Sequence, residues 1–177
     1  MTIIGGKKHL VWRLLCSDFL SNLATSLAAK IISLWFVLVV FGEERSVPWV
    51  SGFLTVIAVA QLLAGLFTGA VSDRHDPIAT MTMACLVRAV ASAGIIAILV
   101  FCPTGGLAAV LAVIALAVIE AMCDTAYLPA AASVSHRLAD GQELVRLLGW
   151  LRFFALIGSM AGPVLAGIGA DWGWFAG

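Results

Sequence analysis

The sequence predicts an all-α integral membrane protein with five transmembrane helices and the start of a sixth. Three observations carry that prediction. About 62% of the residues are hydrophobic and 11% are charged, whereas a soluble domain carries roughly a quarter charged residues. The apolar residues fall into runs of helix-spanning length, separated by short polar breaks. The basic residues cluster in alternate breaks, as they do when one side of a bilayer is cytoplasmic.

The first span is expected at 10–41, longer than the roughly 20 residues that cross a bilayer, so it can tilt or project. On a helical wheel Asp18, Ser21, Asn22, Thr25, Ser26, Lys30 and Ser33 share one half of it. In lipid such a stripe must face protein or water. The small residues suit contact between helices, and Asp18 and Lys30 suit a wet cavity. Glu43-Glu44-Arg45 predicts a turn, and Pro48 a helix start, where its missing N–H has no partner to lose. The second span is expected at 48–71, with Gln61 near its middle and Gly65 and Gly69 in GxxxG spacing. The stretch from Gly69 to Pro77 packs Asp73, Arg74, His75 and Asp76 into a tight polar turn. The third span is expected at 78–101 with Arg88 inside it, and Pro103 to Gly106 makes an uncharged turn. The fourth is expected at 107–127, ended by Pro129, with Glu120 and Asp124 in its last third. The polar stretch 130–146 carries periodic Leu138, Leu144 and Val145, a pattern for an amphipathic helix at the membrane surface. The fifth span is expected at 148–170, and Trp172 and Trp174 lie where a sixth begins.

With the N-terminus in the cytoplasm, Lys7, Lys8, Arg13, Arg74, Arg137, Arg146 and Arg152 lie inside and only Arg45 outside. That asymmetry sets the orientation. A secretory signal peptide is not expected, because the first apolar run is too long and contains Asp18 and Lys30.

Arg88 and Glu120 are the most informative charges. Counted from the expected inner ends of their helices, their depths differ by only a few ångström at about 1.5 Å per residue. An unpaired charge there costs several kcal/mol, so the two are expected to pair or to face a wet cavity. Asp124, one turn below Glu120, can join them. A protonatable carboxylate at this depth could couple transport to a proton gradient, though the sequence alone shows only the carboxylate. Gly158, Gly162, Pro163 and Gly167 form a second constellation, a smooth small-residue face with a proline kink. No nucleophile–base pair, phosphate loop or dinucleotide fingerprint is present, so an enzyme is not expected. No cofactor is expected either. The zero formal net charge argues against nucleic acid as a partner. Cys16, Cys85, Cys102 and Cys123 form no CxxC pair and read as buried reduced thiols; no metal site is expected.

These residues resemble the major facilitator superfamily of secondary transporters. After its second helix that family shows a G-x-L-A-D-R-x-G-R-R/K pattern. Gly69, Asp73 and Arg74 match it, whereas Asp76, Pro77 and Ile78 stand where the second glycine and the basic pair fall. In helix five, drug–proton antiporters show G-x-x-x-G-P-x-x-G-G; Gly158, Gly162, Pro163 and Gly167 match. The run Tyr127-Leu-Pro-Ala-Ala, followed by Glu143-Leu-Val-Arg and the Gly-Pro helix, is similar to the branch of enterobactin and macrolide exporters.

The resemblance implies that residues 1–177 are an incomplete N-terminal bundle of a major facilitator fold. The missing C-terminal half, or a second half-transporter, is then an expected partner. It implies alternating access and proton-coupled efflux, as an antiporter, of a small amphipathic compound across the bacterial inner membrane. Asp18, Asn22, Gln61 and Glu120 are the expected cavity residues, with Arg88, Glu120 and Asp124 as the charge and coupling group. A non-transporting membrane scaffold or assembly protein is the alternative from another class.

Overall fold

The computed structural model describes residues 8–41, 43–72, 76–102 and 106–171. Five helices account for nearly all of them: α1 (Lys8–Trp35), α2 (Glu43–Ser72), α3 (Pro77–Phe101), α4 (Leu107–Leu138) and α5 (Gly141–Asp171). A π-helical stretch, Phe36–Phe41, continues α1. Each of the five contains a segment long and apolar enough to cross a membrane. The candidate spans are His9–Val40, Val47–Thr68, Pro77–Phe101, Leu107–Leu138 and Gly141–Gly169. The expected all-α architecture is therefore observed, and the start of a sixth span lies outside the described residues.

Three local features depart from the sequence-based expectations, each for a backbone reason. The second helix begins at Glu43, not Pro48. Pro48 sits in its second turn, where the proline forfeits one intrahelical bond without ending the helix. The fourth helix runs through Pro129 to Leu138. Ala130 and Ala131 beside the proline are buried, and Ala131 packs with Ala84 and Tyr127, so packing offsets the lost bond. The stretch 130–146 is consequently not a separate surface helix. It is shared between the end of α4 and the start of α5, with a break at Ala139–Asp140. Gly141 makes that break possible, because its φ of 56° is a left-handed value that glycine adopts without steric cost.

Helix α3 starts where its sequence says it should. Asp76 is extended at the N-cap (φ −64°, ψ 124°) with Pro77 in the first turn, an arrangement that loses no hydrogen bond. The Thr80 N–H donates to the Asp76 carbonyl at 3.0 Å and closes the first turn.

The chain divides into two compact units, one comprising Met1–Lys30 with Ala132–Gly177 and the other Ile31–Ala131. In the first, α1 meets α5. Edge-on contacts join Phe154 to Trp12 and Phe19, with ring centroids 6.4 and 6.5 Å apart. The buried positions of α5 are Leu147, Leu151, Gly158, Gly162, Ala166 and Gly169, a seam with helical spacing. In the second unit, Trp35 and Phe36 are almost wholly buried, and Phe36 meets Phe53 of α2 edge-on at 5.5 Å. A cluster of Ala84, Tyr127 and Ala131 joins α3 to α4.

The four cysteines are free, but Cys16, Cys85 and Cys102 are exposed and not buried as expected. A weakly polar thiol carries little penalty on a helix surface bathed in lipid, so the apolar run around it does not force it inward.

Candidate functional site

Helices α3 and α4 run antiparallel, and their polar residues meet well inside both helices. Arg88 Nη1 donates to Asp124 Oδ1 at 2.9 Å. One turn further along α3, the Ser92 hydroxyl donates to Glu120 Oε1. Moving four residues up α3 and four residues back along α4 carries one pair into the other, as antiparallel helices require. The register is consistent beyond the site. Gly94 faces Leu116, and Ala84 packs with Tyr127 at the other end. Arg88 and Glu120 are both buried.

The expected ion pair thus forms with Asp124, and Glu120 takes a hydroxyl donor from Ser92. The physical cause is the continuation of α4 past Pro129. Counted from Leu138, Asp124 is nearer to the depth of Arg88 than Glu120 is. Each ionisable group in this part of the bilayer has a polar partner, which offsets the cost of removing it from water. Ser92 escaped the sequence reading. Its signal was available: it follows Arg88 by four residues, as Asp124 follows Glu120.

The other expected cavity residues divide between the units. Asp18 is buried, and the Asn22 side-chain amide donates to its carbonyl oxygen at 2.8 Å. The Thr25 hydroxyl donates to the Ser21 carbonyl at 2.9 Å. These bonds turn two α1 side chains onto their own backbone. Gln61 lies in the Ile31–Ala131 unit and is exposed on α2. An apolar groove of about 430 Å³ lies between α3 and α4, lined by Met83, Val87, Met122 and Cys123 among others. Neither Arg88 nor Glu120 lines it. Among the described residues no cluster of His, Cys, Asp or Glu is arranged to hold a metal ion.

The helix-five glycines resolve into two kinds. A methyl group on Gly158 would stand 2.7 Å from the Phe19 carbonyl oxygen, and one on Gly162 would stand 2.7 Å from the Leu27 nitrogen and from Ser26. These two positions let the backbones of α1 and α5 touch, and the Ser26 hydroxyl donates across the seam to the Ser159 carbonyl at 2.7 Å. A methyl group on Gly167 would meet nothing within 4 Å, so Gly167 does not share that role; Ala166 is the buried residue at its level. Pro163 is exposed within α5. Of the helix-two pattern, Gly69 belongs to α2, and Asp73 and Arg74 lie outside the described residues.

The family model of the Major Facilitator Superfamily matches residues 14–177. No match was found among curated proteins or among solved structures. Five membrane-length helices and a family match over nearly the whole chain carry one conclusion. The chain belongs to the major facilitator superfamily, a family of membrane transporters. It is an integral membrane protein.

Proposed function

We propose that the chain forms the N-terminal part of a proton-coupled efflux transporter, exporting a small amphipathic compound by alternating access. The observation that supports this most directly is the Ser92–Glu120 and Arg88–Asp124 network within the span of α3 and α4. In this reading Asp124 balances the Arg88 guanidinium, which leaves the Glu120 carboxyl with a hydroxyl partner. A carboxyl held by a neutral donor can exchange a proton without leaving a cation uncompensated. That is the property a coupling group needs. Asp18, Asn22 and Gln61 contribute to the substrate path, a C-terminal half or second half-transporter completes it, and Asp73 and Arg74 act in the conformational cycle. The basic residues at alternate ends of the helices support a cytoplasmic N-terminus, and in this reading the membrane is a bacterial inner membrane.

The test is transport by the full-length protein in inside-out membrane vesicles energised to be acidic inside. A panel of amphipathic fluorescent compounds is offered, and pH inside the vesicles is followed with a dye. Uptake of at least one compound, accompanied by proton release from the vesicle, is expected. Uptake that survives collapse of the pH gradient would remove proton coupling. Failure of every compound to move would remove efflux of amphipathic cargo.

A further inference from the structure

The groove between α3 and α4 stands outside the Arg88–Glu120 network, and it is not apolar from end to end. Asp76 and Thr80 line one end of it, and Met83, Val87, Met122 and Cys123 line its length. Asp76 immediately precedes the span Pro77–Phe101, so the polar end stands at the membrane surface. Val87 lies about 16 Å further along the axis, at about 1.5 Å per residue. That is close to half the thickness of a hydrocarbon core of about 30 Å. The groove therefore runs the depth of one leaflet, with its acid at the water-facing end. Its volume of about 430 Å³ falls in the range of small-molecule sites, roughly 300–1,000 Å³.

Each part of the groove selects a chemistry. Asp76 is the one charged residue among the described residues that line it. A carboxylate accepts several hydrogen bonds at once. One turn on, the Thr80 hydroxyl donates to the Asp76 carbonyl oxygen at 3.2 Å, which leaves its own oxygen to accept from an incoming donor. Two acceptors four residues apart share a helix face. Together they suit a protonated amine, which brings a positive charge and several N–H donors. The walls suit an aromatic body. Met83 of α3 and Met122 of α4 are 62% and 45% exposed, and a thioether packs favourably against an aromatic ring. Ala79 and Ala126 are the small residues that leave room between them.

We propose that this groove is a binding site for small lipophilic amines, compounds with an aromatic body and a protonated amino group. The ammonium group sits on Asp76 and Thr80, and the rings lie between Met83 and Met122. An amphipathic cation enters a bilayer surface with its charge outward, the orientation in which the groove lies. The deep end is formed by Val87 and Cys123, the chain neighbours of Arg88 and Asp124. An occupant therefore lies beside the ion pair without touching its charges.

The experiment follows modification of Cys123 by N-ethylmaleimide in the full-length protein, held in nanodiscs of phosphatidylcholine. Peptide mass spectrometry reads Cys123 and Cys85 separately. Cys85 is exposed on α3 outside the groove and serves as the internal control. The probes share one ring system: naphthylethylamine, naphthylethanol and naphthylacetate. The amine is expected to slow modification of Cys123 and leave Cys85 unchanged, with the alcohol and the acid ineffective. Asp76→Asn keeps a competent helix cap and is expected to label at the wild-type rate without ligand. Protection of that variant should need about tenfold more amine, the effect of losing a charge-assisted hydrogen bond. The proposal is overturned if the amine does not protect Cys123, or protects Cys85 equally. It is also overturned if the alcohol protects as well as the amine, or if Asp76→Asn responds like the wild type. Asp76-dependent protection on substituting phosphatidylethanolamine, with none from the amine, would assign the groove to lipid and overturn the small-molecule assignment. No transport is measured, so failure of this proposal leaves the transporter reading standing.

Discussion

Gly162→Ala tests the packing of α1 on α5 at its tightest point. The added methyl would lie 2.7 Å from the Leu27 backbone nitrogen and from Cβ and Oγ of Ser26. A backbone atom cannot swing aside as a side chain does, so the helices must separate. Overpacking of this kind costs typically 1–3 kcal/mol. Separation also stretches the bond from Ser26 to the Ser159 carbonyl, worth roughly 0.6 kcal/mol between membrane helices. Alanine returns up to about 1 kcal/mol through its better helix propensity. The net destabilisation is therefore about 2 kcal/mol, or about 4–8 °C in melting midpoint for a chain of this size. Gly158→Ala, against the Phe19 carbonyl oxygen, behaves alike. Gly149→Ala and Gly167→Ala, with nothing within 4 Å, serve as controls and are expected to be neutral or slightly stabilising. Thermal unfolding of the four variants in one detergent decides the matter. Equal midpoints for Gly162→Ala and Gly167→Ala would refute the close approach.

The ion pair of α3 and α4 makes a double-mutant prediction. Arg88→Gln and Asp124→Asn should each destabilise by on the order of 2–3 kcal/mol, below the 3–5 kcal/mol of a fully buried pair, because the Asp124 side chain is 29% exposed. The double variant should recover most of that loss; strictly additive losses in chemical denaturation would contradict the pairing. Ser92→Ala should cost about 1–3 kcal/mol by leaving the Glu120 carboxyl without its donor, and Ser92→Thr, which keeps the hydroxyl, should restore stability and transport rate. Loss in both variants alike would show that volume, not the hydroxyl, matters at this position.

How far these features were legible in the sequence depends on which interactions are local. The five spans follow from composition and run length, which are properties of each segment alone. Ends of helices were harder. Pro48 and Pro129 read as boundaries, yet each forfeits only a single backbone bond, which the burial of Ala130 and Ala131 offsets beside Pro129, and both helices continue through their prolines. Counting depth from an end of α4 near Tyr127 set Arg88 level with Glu120 and left Asp124 as a further member of the group, whereas the hydrogen bonds run from Arg88 to Asp124 and from Ser92 to Glu120. The four-residue spacing of Arg88 with Ser92, and of Glu120 with Asp124, contained the correct register. Reading it required knowing that α3 and α4 are neighbours. The helix-five glycines show the converse limit. Gly158, Gly162 and Gly167 look equivalent in sequence, but only the first two lie where α1 passes. Lys30 was visible as a polar residue on α1, and its separation from every acid among the described residues emerged only in three dimensions.

The measurement that bears most directly on the proposed mechanism is the transport cycle of Glu120→Gln in the full-length protein, reconstituted in proteoliposomes. Two rates are compared at matched protein content: uptake driven by a pH gradient, and exchange of labelled for unlabelled cargo at equilibrium with no gradient. Glutamine keeps the size and can still accept a hydrogen bond from Ser92, but it carries no exchangeable carboxyl proton. The account predicts that gradient-driven accumulation falls to the level of protein-free liposomes while exchange continues. Accumulation at the wild-type rate and extent would contradict a coupling role for Glu120.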